Sequence, residues 1–128
     1  MSPAELKFLI IDSDDSARAQ LLSQLRGWGY QNFREGARLK DAMEHFNEEP
    51  VDCIICASDL PGAGGRTFLK LVRSQDRLKS TAFVLARRSD EDPPETLSFQ
   101  PDAELIKPYR SSQVREAVTR ALNLRTLI

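Results

Sequence analysis

Histidine and cysteine are scarce in this chain. Its 128 residues include one His, His45, and two Cys, Cys53 and Cys56. The pair forms Cys-x-x-C, a spacing that redox and metal sites use. No further Cys accompanies it, and only His45 could add to a ligand set. The two also lie in an apolar run, and residues three apart on a strand face opposite sides. They are read as small core residues. Also missing is any apolar stretch near the roughly 18 residues that cross a bilayer. No long basic run is present, and the net charge is −1, so neither a nucleic-acid nor an anionic-membrane surface is suggested. The opening Met1-Ser2-Pro3-Ala4-Glu5 is not a secretory signal, which makes the cytoplasm the expected location. There are no internal repeats and no low-complexity segments.

What remains is an ordinary globular composition, 41% hydrophobic and 29% charged. The length suits one domain over residues 1–128, with enough core to fold without staples. Short apolar runs alternate with helical patterns. Lys7 to Ile11 reads as a buried strand ending at Asp12. Ser16 to Arg26 reads as a helix with Leu21, Leu22 and Leu25 on one face, stopped by Gly27 and Gly29 around Trp28. Gln31 to Arg34 is a weak, polar strand. Leu39, Ala42, Met43 and Phe46 have the i, i+3, i+4, i+7 spacing of a second helix. Val51 to Cys56 is the most apolar strand, followed by a flexible turn at Gly62-Ala63-Gly64-Gly65. A third helical face has Phe68, Leu71 and Val72. Ala82 to Ala86 and Glu104 to Ile106 are two more strands. Val114, Ala117, Val118, Ala121 and Leu122 line a last helix, with Ser111 or Ser112 as its N-cap.

Continuous apolar strands separated by amphipathic helices indicate a parallel sheet covered on both faces. The predicted fold is α/β: a flavodoxin-like, doubly wound, five-stranded sheet of order 2-1-3-4-5. Sites in such folds lie at the carboxyl ends of the strands, beside the point where the strand order reverses. That gathers Asp12, Ser13, Ala57, Ser58, Asp59, Arg87 and Lys107 around one shallow pocket.

Four segments at the right spacing now carry a resemblance over nearly the whole chain. They are Phe8-Leu9-Ile10-Ile11-Asp12-Ser13-Asp14, Ala57 to Gly62, Phe83 to Arg88, and Ile106-Lys107-Pro108-Tyr109. Together they resemble the receiver domains of response regulators (CheY-like). The resemblance implies an acidic pair after the first strand that helps hold Mg²⁺ and a nucleophilic Asp after the third. It also implies a Thr or Ser after the fourth strand, a Lys after the fifth, and an aromatic switch residue three positions before that Lys. Mg²⁺ gathers hard carboxylate oxygens, an acyl phosphate needs a carboxylate nucleophile, and cations stabilise the transferring group.

This chain departs from that pattern at four of the positions. Asp12 matches the first acid, but Ser13 stands at the second. Ala57 takes the nucleophile's place, Arg87 the Thr/Ser place and Glu104 the switch place, while Lys107 is present. The resemblance therefore implies a pseudo-receiver: the scaffold without most of the phosphorylation chemistry. Asp12 and Asp59 are weak metal candidates, and Asp14 and Asp15 are expected to start the first helix. Arg87 is expected either to pair with Asp12 or Asp59, filling the space of Mg²⁺ and phosphate, or to point into solvent. By the same resemblance Lys107–Pro108 is expected to be cis. Ser89-Asp90-Glu91-Asp92-Pro93-Pro94-Glu95 reads as a loop with a short helix at most, where receivers have a helix that helps bind partners.

The expected function is that of a non-enzymatic binding module. It would act on protein partners of a bacterial two-component-type pathway without phosphorylation or cofactor, as a monomer or weak dimer. It would stand alone or as the N-terminal domain of a longer regulator. The alternative is a phosphorylatable receiver using Asp59 as surrogate acceptor. A flavodoxin-like cofactor protein is disfavoured, because Asp12-Ser13-Asp14-Asp15 would repel a phosphate that such proteins cradle.

Overall fold

The computed structural model of the chain describes residues 2–62, 64–75, 80–89 and 100–126. Its elements, in order, are a 3-10 turn at Pro3–Glu5, β1 (Lys7–Ile11), α1 (Asp15–Gly27), β2 (Asn32–Gly36) and α2 (Leu39–Glu48). These are followed by β3 (Cys53–Ala57), α3 (Gly64–Arg73), β4 (Ala82–Arg88), β5 (Ala103–Lys107) and α4 (Ser111–Thr126). The five strands form one parallel sheet in the order β2-β1-β3-β4-β5, as expected. The expectation for the acidic stretch after Ser89 lies outside the described residues.

Strand alternation divides the buried side chains into two cores. Phe8, Ile10, Cys53, Ile55, Val84, Ala86 and Leu105 face α1 and α4, where Leu21, Leu25, Val114 and Val118 meet them. Leu9, Ile11, Ile54, Cys56, Phe83 and Leu85 face the other way, onto Ala42 of α2 and Phe68, Leu69 and Val72 of α3. Cys53 and Cys56 thus sit in different cores as free thiols. Burial pushes both thiols far above their ordinary range. The central strand β3 is buried along its whole length, whereas the edge strand β2 is only half-covered. That explains why the second strand reads as weak and polar in the sequence.

Several boundaries differ from the sequence reading. α3 starts at Gly64, inside the glycine run taken as a turn. A Cβ on Gly65 would lie 2.1 Å from the Ala57 carbonyl oxygen, so glycine lets the first turn of α3 close against the end of β3. α3 buries Leu69 rather than Leu71, so its apolar stripe keeps Phe68 and Val72 and widens to the side of Leu69. Ser111 is the first helical residue of α4 rather than its cap. β4 runs on to Arg88, two residues past the predicted end. Asp14 is the N-cap of α1, its carboxylate accepting from Ala17 N–H at 3.1 Å, and Asp15 opens the helix.

Opposite the strands' carboxyl ends, Asp102 ties three elements together. It accepts from Arg73 Nη2 at 2.7 Å, from Phe83 N–H at 2.8 Å and from Arg125 Nε at 2.8 Å. Its side chain is 5% exposed. Arg73 also donates to Thr81 O at 2.8 Å. One carboxylate between two guanidiniums thus joins α3, β4 and α4. We predict that Asp102→Ala, which leaves both arginines without their shared acceptor, lowers unfolding free energy by about 3–5 kcal/mol. A urea midpoint unchanged from wild type would contradict that role.

Candidate functional site

The register of the sheet decides which side chains meet at its carboxyl end. Ile11 pairs with Cys56, Ala57 with Ala86, and Arg88 with Lys107. Asp12, just past β1, and Ala57, at the end of neighbouring β3, therefore stand at similar height, and Lys107 ends β5, across β4 and two residues further along. Asp12 is fixed from several directions. Its N–H donates to Gly36 O at 3.0 Å, and its carbonyl accepts from Arg18 Nη1. Its Oδ1 accepts from Asp14 N–H at 3.0 Å. Lys107 Nζ stands 2.8 Å from Oδ2, with the two side chains 16% and 4% exposed. Oδ2 receives no well-directed hydrogen bond, so this contact is Coulombic in character. Lys107–Pro108 is cis.

Ala57 ends β3 with its methyl buried on the α2–α3 side. The turn beyond it is set by Ser58 N–H donating to Ala86 O at 2.8 Å and Gly65 N–H donating to Ser58 O at 3.2 Å. Ser13 and Asp59 are exposed.

Arg87 corrects the sequence reading. Among the described residues its ion-pair partner is neither Asp12 nor Asp59 but Glu104, with Nε 2.7 Å from Oε2. The extra length of β4 explains this. Arg87 pairs in register with Ile106, so its side chain shares a face with Glu104 two residues earlier on β5. Lys107 lies on the opposite face, beside Arg88. Arg88, read from the sequence as a mere exposed neighbour, is the residue that approaches Asp59, at 4.0 Å. Of the seven residues that topology placed around one pocket, Asp12 and Lys107 meet, Ala57 ends β3 with its methyl in the core, Ser58 is in the turn, Ser13 and Asp59 are exposed and Arg87 turns toward Glu104.

Tyr109, quoted in the sequence only as an aromatic after Lys-Pro, is buried beside this cluster. Burial pushes its phenol above the ordinary range, and the charges of Asp12, Asp59 and Asp14 push the same way. A cavity of about 440 Å³ opens here, lined by Asp14, Ala17, Gln20, Arg88, Lys107 and Tyr109 among others. Arg18 was also missed. From α1 it reaches Asp12 O, Asp15 Oδ1 at 2.5 Å and Glu35 Oε1 at 3.2 Å. Its position in the first helical turn was the available signal. Among the described residues no three His, Cys, Asp or Glu side chains cluster so as to hold a metal ion.

A parallel sheet of this order with acid and lysine converging at its carboxyl end defines a class, the receiver-like α/β domains. The particular family follows from comparison: the model of the response regulator receiver domain matches residues 8–119, and the chain belongs to that family, a module of two-component signalling. It is 27% identical over 122 residues to the transcriptional regulatory protein ZraR of Salmonella typhimurium, a match covering 95% of this chain and 27% of that protein. The chain thus spans about a quarter of that relative's length. It is 29% identical over 86 residues to a probable chemotaxis protein CheY of Rhizobium etli, covering 66% of this chain and 67% of that one. A putative response regulator from Chloroflexus aurantiacus superposes with TM-score 0.84 at 27% identity, covering 92% of this chain and 98% of the other. The chemotaxis response regulator CheY4 of Vibrio cholerae gives TM-score 0.80 at 23% identity, over 91% and 98% of the two chains, a likeness of fold.

Two predictions follow from this geometry. Lys107→Ala leaves the Asp12 carboxylate buried with its counter-charge gone and lowers stability by about 3 kcal/mol. Adding Asp12→Asn recovers part of the loss, with a coupling of about 1–3 kcal/mol in the double-mutant cycle. Strict additivity would show that the pair is energetically idle.

The second concerns the chain's two tyrosines, Tyr30 and Tyr109, whose phenols are both pushed up by burial. An unfolded phenol ionises near about pH 10. Above that pH the folded chain holds protons that the unfolded chain has released. The tyrosines' contribution to stability is therefore full below about pH 10 and falls as pH rises beyond it. Native protein should show less phenolate absorbance at about pH 10 than urea-unfolded protein, which shows about half of its full value there. Equal absorbance in the two states would contradict this.

Proposed function

We propose that this receiver domain works as a protein-contact module in two-component-type signalling without phosphorylation of its own pocket. The observation that carries the reading is the alanine at position 57, whose buried methyl ends β3, together with an acid and a lysine at the same end of the sheet that pair with each other. Phosphoryl transfer to a receiver needs a carboxylate that can form an acyl phosphate. A methyl group cannot do so.

The Mg²⁺ that the family implies does not fit the residues present. A divalent cation in such a pocket needs several hard oxygen donors. Ala57 offers no side-chain oxygen, and Ser13 offers a hydroxyl in place of a carboxylate. The carboxylate of Asp12 is already occupied by Lys107 Nζ and Asp14 N–H. Lys107, which in a working receiver would face the incoming phosphoryl group, here supplies the counter-charge of the buried acid. Its role is to hold the ends of β1 and β5 together.

Glu104 and Arg87 extend the same reading. In place of a small hydroxyl and a mobile aromatic, this chain has a charged pair that clamps β4 to β5 at 2.7 Å. Such a pair favours one arrangement of the strand ends, suited to constitutive recognition by a protein partner. Cytoplasmic location and a monomeric or weakly dimeric state belong to the same proposal. Phosphotransfer to Asp59 competes with it less well, since that carboxylate lies at the rim, two residues past the strand end and beside Arg88.

Incubation with acetyl phosphate and Mg²⁺, followed by intact-mass measurement, tests the proposal. No phosphoryl adduct is expected on wild type or on Asp59→Asn. An adduct on wild type that Asp59→Asn abolishes would replace this function with the surrogate-acceptor one.

A further inference from the structure

A second groove lies away from the pocket, along the outer face of α4 where it passes the end of α1. It has a volume of about 730 Å³ and is lined by Trp28 and by a stripe of α4 that includes Arg115, Glu116, Thr119, Arg120 and Leu124. The α4 residues recur at the i, i+3, i+4 spacing of a single helix face. The stripe spans roughly three turns, or about 18 Å. Leu124, 41% exposed, is the exposed large hydrophobic residue among those described.

Trp28 is anchored rather than loose. Its Nε1–H donates to Ser111 O at 3.0 Å, so the indole has no polar group left to satisfy and offers its face. The Arg115 guanidinium lies over that face, 4.6 Å from the ring. A guanidinium stacked on an aromatic ring loses rotameric freedom while its edge N–H groups remain available, which suits it to bidentate capture of a carboxylate. Arg120 lies one turn further on, exposed and with no ion pair among the described residues. Arg110, also exposed, stands just before the helix. The acid within the lining is Glu116, so the lining is net positive although the whole chain carries −1.

We propose that this groove docks an acidic amphipathic helix of a partner protein. One aliphatic or aromatic side chain of that helix would sit between Trp28 and Leu124, and its Asp or Glu side chains would face Arg115 and Arg120. Tryptophan and arginine are among the residue types that dominate binding energy at interfaces. Rim arginines select acidic over basic partners. The stripe's length matches a helix of about three turns, the scale of helix-in-groove recognition. This groove matters only if the domain acts by protein contact, as proposed above. It does not depend on the chemistry at Ala57, so the phosphodonor experiment and the one below fail independently.

Trp28 is the only tryptophan of the chain, which makes its fluorescence a local reporter. The test titrates the whole chain with a synthetic amphipathic helical peptide built from Leu and Glu, and with the same pattern built from Leu and Lys. The expected result is a saturable shift of Trp28 emission with the Glu peptide that weakens with salt. Affinity for the Lys peptide should be lower by at least about tenfold. Arg115→Glu with Arg120→Glu should reverse the preference while leaving the urea midpoint near wild type. Leu124→Ser, an exposed change with little effect on folding, should weaken the Glu peptide. Equal affinity for both peptides, no spectral response, or a preference untouched by the charge reversal would overturn the proposal. Sedimentation showing a dimer that Leu124→Ser dissociates would also overturn it, assigning the groove to a second copy of this chain.

Discussion

The Asp12–Lys107 pair is the contact around which this domain's functional end is organised. A carboxylate 4% exposed carries a large desolvation cost unless a counter-charge accompanies it. At 2.8 Å and an effective dielectric near 20, the gross attraction is about 6 kcal/mol before that cost is subtracted. The methyl group of Ala57 adds no third charge to divide the pair. A cation entering this pocket would have to displace Lys107 from the carboxylate, and a phosphoryl group would find the lysine already engaged. The same pair joins β1 to β5, two strands that are not neighbours in the sheet.

Around it, among the described residues, the polar groups fall into separate sets. Arg87 with Glu104 holds β4 to β5, Arg88 approaches Asp59 at the rim, and Arg18 holds the loop after β1. At the opposite end Asp102 gathers Arg73 and Arg125. The domain is thus pinned at both ends of its sheet by buried or half-buried charge. Such interactions contribute less to net stability than to fixing one arrangement, because removing one partner costs more than the intact pair supplies. Fixing one arrangement is what the proposed contact module would require of this end of the sheet.

Much of this was legible in the sequence because it depends on local pattern. Continuous apolar runs mark buried parallel strands, helical spacing marks the faces of α1 and α4, and the fold's topology brings Asp12 and Lys107 to one end of the sheet. The opposite-facing cysteines follow from alternation alone. What escaped depends on register and on contacts distant in sequence. Two extra residues of β4 were enough to turn Arg87 away from the pocket and toward Glu104. Gly64 and Gly65 read as a turn because their use, a helix start pressed against the Ala57 carbonyl, exists only once α3 meets β3. Asp102 finds its arginines 29 and 23 positions away along the chain, and no spacing rule links them.

The central claim is that Asp12 is neutralised by Lys107 and unavailable to a divalent cation. Its most direct test is a Mg²⁺ titration followed through the backbone amide resonances of Asp14, whose N–H is bonded to Asp12 Oδ1, and of Lys107. The account predicts no saturable shift at either amide in wild type and a saturable shift once Lys107→Ala and Ala57→Asp are introduced together. A saturable shift in the wild-type chain at millimolar Mg²⁺ would contradict it.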